Sequence, residues 1–261
     1  FIFSSATFFI LGETLTDQQF FHYGWRIPFI ASAVLVWVGL YVRLRITETP
    51  DFLKVIEKNE RVKVPVADVF VKHTRAIVLG TAAAITTFLL FYLMTVFTLS
   101  WGVSALHYTK TSFLVAQMIS MLFFGLGIPL SAVLADRYGR AGILMLATAA
   151  IFVFGLFFPT LFVGGNLVMI NLFLATGMFL MGLTYGPLGT ALAEIFPPAV
   201  RYTGSSLAFT LAGILGASLT PYLATTLAES YGLSAVGYYL AIAAVITFAA
   251  LAAARSAMRG N

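Results

Sequence analysis

The sequence predicts an all-α protein, a polytopic bundle of transmembrane helices. Three observations predict it. Apolar residues make up 60% of the 261-residue chain and charged residues 10%, with a mean hydropathy of +0.96. A soluble domain carries about 25% charged residues, so this chain cannot clothe a water-facing surface. Next, the apolar residues fall into long uncharged runs, each close to or beyond the ~20 residues that span a bilayer as a helix. Finally, the basic residues alternate between two sets of loops.

The first residues, Phe1 to Gly12, are apolar but short. Twelve helical residues reach ~18 Å, against a hydrocarbon core of roughly 30 Å. With no basic segment before it, this stretch is a poor signal peptide and is expected to be the second half of a helix begun upstream, making the chain a fragment. Full spans are expected at Ile27–Val42 (extended by Gly24 and Trp25), Ala76–Trp101, Phe113–Ala135, Ala141–Val163, Leu167–Ala193, Ser205–Ala228 and Leu233–Ala254. None of these seven contains Asp, Glu, Lys, Arg or His. No alternating ten-residue pattern suggests a barrel, so each span satisfies its backbone as a helix.

Orientation follows from the basic residues. Arg43, Arg45, Lys54, Lys58, Arg61, Lys63, Lys72 and Arg75 lie in one loop, Arg137 and Arg140 in the second loop along, Arg201 in the next on that side, and Arg255 and Arg259 in the tail. That places thirteen of the 15 basic residues on one face and leaves Arg26 and Lys110 on the other. The rich face is expected in the cytoplasm. The net charge of +5 is thus a property of membrane loops, and no nucleic-acid partner is implied.

In the long loop, Thr49 can cap a helix with Pro50 at its first position and Asp51 in its first turn. Phe52, Leu53 and Ile56 would share a face against the membrane surface, and Glu57 and Arg61 are spaced to pair. A second short stretch, VPVADVF, leads into the next span. The plainer reading is a solvated connector.

Between two of the spans stands LADRYGR, from Leu134 to Arg140. Leu134, Ala135, Asp136, Arg137, Gly139 and Arg140 resemble the charged signature in the loops joining the second and third helices of each half of the major facilitator superfamily. Ala132 stands where the family has its first glycine and Ala141 where it has a final basic residue. Gly24 to Leu53 looks like the sixth helix and central loop of the metabolite:proton symporters in that superfamily. The run GPLGTALAEIFPPAVRYTGSSLAF resembles their join between helices ten and eleven, with Glu194, Phe196, Pro197, Val200, Arg201, Tyr202, Thr203, Gly204 and Ser206 carrying the match. Gly213 to Leu227 continues it. The resemblance covers most of the chain and implies a partial fold, from the end of helix 5 through helix 12. Residues 1–42 would close the N-terminal six-helix half (part of helix 5, helix 6), 43–75 would be the cytoplasmic central loop, and 76–261 the C-terminal half (helices 7–12).

The implied function is proton-coupled uptake of a small metabolite, an organic acid or zwitterion, by alternating access in a bacterial inner membrane. The partners would be substrate, proton, the lipid bilayer and the missing N-terminal half. An exporter or antiporter of the same fold, or a receptor that kept the fold and lost transport, are the alternatives. No His-Glu-x-x-His, Gly-x-Ser-x-Gly, phosphate loop or metal cluster is legible, so no enzyme, cofactor or metal site is expected.

A conformational latch is expected from Asp136, Arg137, Gly139, Arg140, Glu194 and Arg201. Gly139 can reverse the chain at positive φ. Asp136 can accept from a neighbouring helix N-terminus, and Arg140 or Arg137 can pair with a carboxylate at another helix end, Glu194 being the obvious one. Such pairs can form in one conformation and break in another. For the substrate cavity, helical spacing puts Thr81, Phe88, Tyr92 and Thr95 on one face, Asn171, Met178, Gly182 and Tyr185 on another, and Ser206, Thr210, Gly213, Ala217 and Thr220 on a third. A further stripe holds Gln117, Phe124 and Ser131. The cavity candidates are Tyr92, Thr95, Gln117, Asn171, Tyr185 and Thr210, against the simpler reading that small and hydroxylated residues glue helices together. Gly182-x-x-x-Gly186 reads as close packing, and Pro129, Pro187 and Pro221 as kinks. With no titratable group in the spans, the proton carrier is expected in the absent half, or at helix ends such as Glu194 or Asp136. His22, His73 and His107 read as surface histidines.

Overall fold

The computed structural model describes residues 2–45 and 70–255. The Thr49 cap, the Phe52, Leu53 and Ile56 face, the Glu57–Arg61 pair, most of VPVADVF and Arg259 lie outside the described residues. The chain divides into two compact units, Phe1–Lys63 and Val64–Asn261.

The first unit holds α1 (Ile2–Thr14), α2 (Asp17–His22), a 3-10 turn at Gly24–Arg26, and α3 (Ile27–Arg45). A capping box starts α2: Thr16 Oγ1 accepts from the Gln19 N–H at 3.3 Å, while Gln19 Oε1 accepts from the Thr16 N–H at 3.1 Å. That satisfies two N–H groups a helix start leaves open. Gly24–Leu44 is long and apolar enough to cross a membrane, and only Gly24 within it is buried in the protein. Phe29, Leu35 and Trp37 are all exposed, an apolar surface that water would not tolerate.

The second unit is built from α4 (Thr74–Ser104), α5 (Lys110–Tyr138), α6 (Arg140–Leu156), α7 (Phe158–Leu161), α8 (Leu167–Ile195), α9 (Arg201–Tyr231) and α10 (Leu233–Ala254). Among the described residues six helices are long and apolar enough to span, α3, α4, α5, α8, α9 and α10. The expected run Ala141–Val163 differs from the rest. It is cut into α6, 17 residues long, and the one-turn α7. Seventeen residues reach roughly 25 Å, short of the hydrocarbon core. The break has a cause in Pro159, whose ring clashes with the carbonyl four residues back and whose nitrogen donates nothing. Pro129 and Pro187 behave differently, sitting within the unbroken helices α5 and α8.

Glycine sets the packing. The α5–α8 crossing is so close that a Cβ on Gly182 would stand 2.5 Å from the Phe124 carbonyl oxygen and 3.1 Å from Gly127 Cα. Four residues on, a Cβ on Gly186 would be 2.7 Å from the Ile128 carbonyl oxygen. The α6–α10 crossing repeats the device, with Gly155 and Gly237 each leaving no room for a Cβ against the other's carbonyl. In lipid there is no water to expel between helices, so backbone approach of this kind supplies the contact. Hydroxyls add to it: Thr86 donates to Thr247 Oγ1 at 2.8 Å, and Thr247 donates to the Ala82 carbonyl at 2.6 Å, tying α4 to α10.

The end of the unit away from Gly139 is closed by aromatic rings. Phe97, Phe113, Phe158, Phe162 and Phe173 are fully buried. Phe173 stacks on Phe162 with centroids 5.0 Å apart and meets Phe158 edge-on at 4.9 Å. The segment that Pro159 breaks is therefore held by ring packing rather than by continuous helix.

Two helices carry a π-helical turn: Leu93–Phe97 within α4 and Ile214–Ser218 within α9. Each inserts extra residue length into one turn, and π-turns of this kind are often found at functional sites. In α9 the turn ends three residues before Pro221, whose ring disfavours the ordinary helical bond to Ala217. The Thr220 hydroxyl donates to the Gly216 carbonyl there.

Candidate functional site

One end of the second unit, where α5, α6, α8 and α9 meet, gathers charged residues. Tyr138 ends α5 and Arg140 begins α6, so Gly139 alone makes the turn, at φ 90°. A side chain there would strain the backbone, which is why the reversal needs glycine. The turn places Arg140 against Glu194, with the Arg140 guanidinium donating to a Glu194 carboxylate oxygen. The Glu194 side chain is 18% exposed and that of Arg140 37%.

The location of the pair explains its chemistry. Arg140 is the first residue of α6, where the helix dipole favours an anion, and Glu194 lies in the last turn of α8, where it favours a cation. Each charge is at the unfavourable end of its own helix. Brought together, each offsets the other's misplacement, and the two helix ends are tied. A second carboxylate, Asp136, comes within 4.0 Å of Arg140 but is 77% exposed. It adds only a solvent-screened contribution.

The other latch candidates are placed elsewhere. Arg137 lies over the ring of Tyr138, 5.4 Å from its centroid. Arg201 turns back to the Phe196 carbonyl, its Nε donating over 3.5 Å. It thus braces the short Phe196–Val200 link between α8 and α9, whose Phe196 ring packs on Gly204. So the structure joins Arg140, Glu194 and, loosely, Asp136, while Arg137 and Arg201 stay outside that cluster.

The cavity candidates are separated by the π-turns. On α4, Tyr92 is half-buried, but Thr95 is buried and its hydroxyl donates to the Phe91 carbonyl at 2.7 Å. Through the turn and past it, the face of Tyr92 continues in the exposed Val96 and Ser100. On α9 the same thing happens. Ser206 and Thr210 are exposed, Ala217 and Thr220 are buried, and the open face continues through Ser218 and Tyr222. An ideal 3.6-residue repeat cannot foresee this, because one wide turn rotates everything after it. On α8, Met178 and Gly182 are buried and Tyr185 is exposed, its ring 5.7 Å from Phe124. Asn171 is half-buried and donates to the Leu167 carbonyl at 2.8 Å.

Gln117 has a role its sequence context hid. It is 1% exposed, and its Nε2 donates to the Met94 carbonyl at 3.0 Å and the Thr95 carbonyl at 2.7 Å. These are carbonyls of the α4 π-turn, so α5 supplies a clamp for the irregular backbone. Thr98 Oγ1 also donates to Met94, at 2.6 Å, whereas Gln117 reaches Thr95 from another helix. Gln117→Leu removes both buried inter-helix bonds and is expected to destabilise the protein by about 2 kcal/mol. A thermal melt of purified carrier within 1 °C of the parent, against an expected loss of roughly 5 °C, would show that the clamp carries no weight.

Helices in lipid, packed through glycine, interrupted by π-turns and tied by charge at one end define a multi-pass integral membrane protein. Residues 3–221 match the family model of the Major Facilitator Superfamily, and the chain belongs to that superfamily. It is 44% identical over 256 residues to the inner membrane metabolite transport protein YhjE of Escherichia coli (strain K12), an alignment covering 96% of this chain and 58% of the relative. Against the proline/betaine transporter of Escherichia coli (strain K12) the identity is 29% over 94% of this chain and 51% of the relative. Against the citrate-proton symporter of Salmonella typhi it is 29% over 93% of this chain and 56% of the relative. The chain thus spans between 51% and 58% of the length of these relatives. They are transport proteins, and the chain is grouped with them rather than with enzymes. No solved structure matches.

Proposed function

We propose that the chain is part of a bacterial inner-membrane carrier of the metabolite:proton symporter type, which takes up a small organic acid or zwitterion with a proton. The observation that carries this reading is the Arg140–Glu194 pair, an ionic tie between two helix ends whose own dipoles oppose it. Such a tie is stable only while the ends stay together, which suits a carrier that must alternate between closed and open inner faces. The likeness to a metabolite transport protein over 96% of the chain supports the same reading, and the relatives named for proline, betaine and citrate support the substrate class.

In this reading residues 1–42 complete the N-terminal half, 43–75 form the cytoplasmic loop, and 76–261 are the C-terminal half, with the C-terminus also cytoplasmic. Asp136 faces solvent beside the tie, free to meet a helix N-terminus of the opposing half. Tyr92, Tyr185 and Thr210 are the candidates with open faces. Thr95, Gln117 and Asn171 act behind them, holding backbone carbonyls. Proton coupling falls to the rest of the carrier or to Glu194. Among carboxylates of described burial, Glu194 is the one that is not exposed.

The test is uptake of labelled proline, betaine and citrate by proteoliposomes holding the full-length carrier. An inward proton gradient is expected to drive accumulation of one of them at least tenfold above a gradient-free control, and dissipating the gradient to abolish it. Binding without flux would replace this reading with a receptor, and extrusion with an exporter.

A further inference from the structure

We propose that the open face of the second unit holds the ammonium end of a zwitterion against aromatic rings, so that the substrate is a substituted-ammonium zwitterion rather than an organic acid. This deepens the transport reading above and rests on it. The rings come to one level and one side of the unit. α4 and α8 run in opposite directions along each other, with Gly80 beside Leu192 at one end of the contact and Gly177 beside Met94 at the other. Phe88 and Tyr92 lie between those points on α4, and Tyr185 lies between them on α8. Behind, Leu144 of α6 and Leu251 of α10 share one buried cluster with Ala83 of α4 and Ala191 of α8. At 3.6 residues per turn, Phe88 and Tyr92 stand roughly 140° and 180° round α4 from Ala83, and Tyr185 roughly 120° round α8 from Ala191. All three point away from the closed side.

The neighbouring helices α9 and α5 each add one ring. Phe209 meets Phe88 edge-on with centroids 4.8 Å apart, and Phe124 lies 5.7 Å from Tyr185. Phe88, Tyr92, Phe124 and Phe209 are half-buried and Tyr185 is 40% exposed, so each ring keeps part of its surface open. Charge then selects the occupant. The apolar runs that carry these rings, 76–101, 113–135, 167–193 and 205–228, hold no charged residue. A carboxylate brought against them loses its water and meets no cation. An ammonium meets the negative faces of the rings, and a trimethylammonium head spreads its charge over methyl groups that suit an apolar wall. The carboxylate end of the zwitterion is left for the other half of the carrier.

The experiment is equilibrium binding of labelled betaine to the purified full-length carrier, in competition with tert-butylacetate and with citrate. The tert-butylacetate anion has the shape of betaine but a neutral trimethylcarbon head, so it separates charge from apolar bulk. Betaine is expected to bind saturably, and tert-butylacetate to compete roughly 10- to 30-fold more weakly. Phe209→Leu and Tyr185→Leu, which keep apolar bulk and remove a ring, should each weaken betaine binding about 3- to 10-fold with unchanged gel-filtration profiles. Where a variant misfolds, the competition on the parent protein still decides. Equal competition by tert-butylacetate overturns the proposal. So does parent-like affinity in both variants, or the absence of saturable betaine binding. Proton-driven uptake of citrate without betaine binding overturns it and leaves the transport reading intact. Betaine binding with the expected selectivity but no flux upholds it and removes the transport reading.

Discussion

Replacing Arg140 by alanine in the whole carrier is expected to cut uptake by roughly 10- to 100-fold while leaving membrane insertion intact. The range follows from the free energy that couples conformational states in proteins of this kind, about 1–3 kcal/mol. Glu194 is mostly shielded, so removing its partner leaves a carboxylate facing the unfavourable end of α8 with no compensation. The reciprocal Glu194→Gln should cost a similar factor. Exchanging the charges, Arg140→Glu with Glu194→Arg, should recover part of it and more than either single change predicts. It also places each charge at the favourable end of its own helix. Asp136→Asn should matter less, because that carboxylate is exposed and 4.0 Å from Arg140. Parent-like uptake by Arg140→Ala, with normal membrane levels, would remove the ionic tie from the transport cycle.

The second large effect is on assembly. Gly182→Val is expected to destabilise the bundle by about 3 kcal/mol or more, because the new side chain meets backbone rather than flexible side chains. The Phe124 carbonyl and Gly127 can retreat only by separating α5 from α8. Little monodisperse protein should be recovered. Gly189→Val on the same helix is the matched control: nothing lies within 4 Å of where its Cβ would be, and recovery should stay near the parent level. Similar recoveries of the two variants, by fluorescence-detected gel filtration, would contradict the packing argument.

The glycine result shows how unevenly the fold could be read in advance. Gly182 and Gly186 announce themselves as a small-x-x-x-small pair in an apolar run, so a close crossing was legible. Their counterpart was not. Gly127 sits in α5 among other glycines, and nothing local distinguishes it from Gly125, which faces open space. The candidate site divides the same way. Gly139, Arg140 and Glu194 were legible because charge and a reversing glycine are conspicuous in an oily chain. The burial of Thr95, Ala217 and Thr220 was not, since periodicity assumes every turn has the same width.

The sequence by itself determined what solvent the protein needs, where the helices lie, and that charge would gather at their ends. Those follow from composition and from the length of uncharged runs, which are local and additive. Only the tertiary structure decided that Gln117 holds the α4 π-turn, and which of the three basic latch side chains, Arg137, Arg140 and Arg201, meets Glu194. Each depends on a partner far along the chain, and distances across a bundle are set by how its helices pack, not by any one of them.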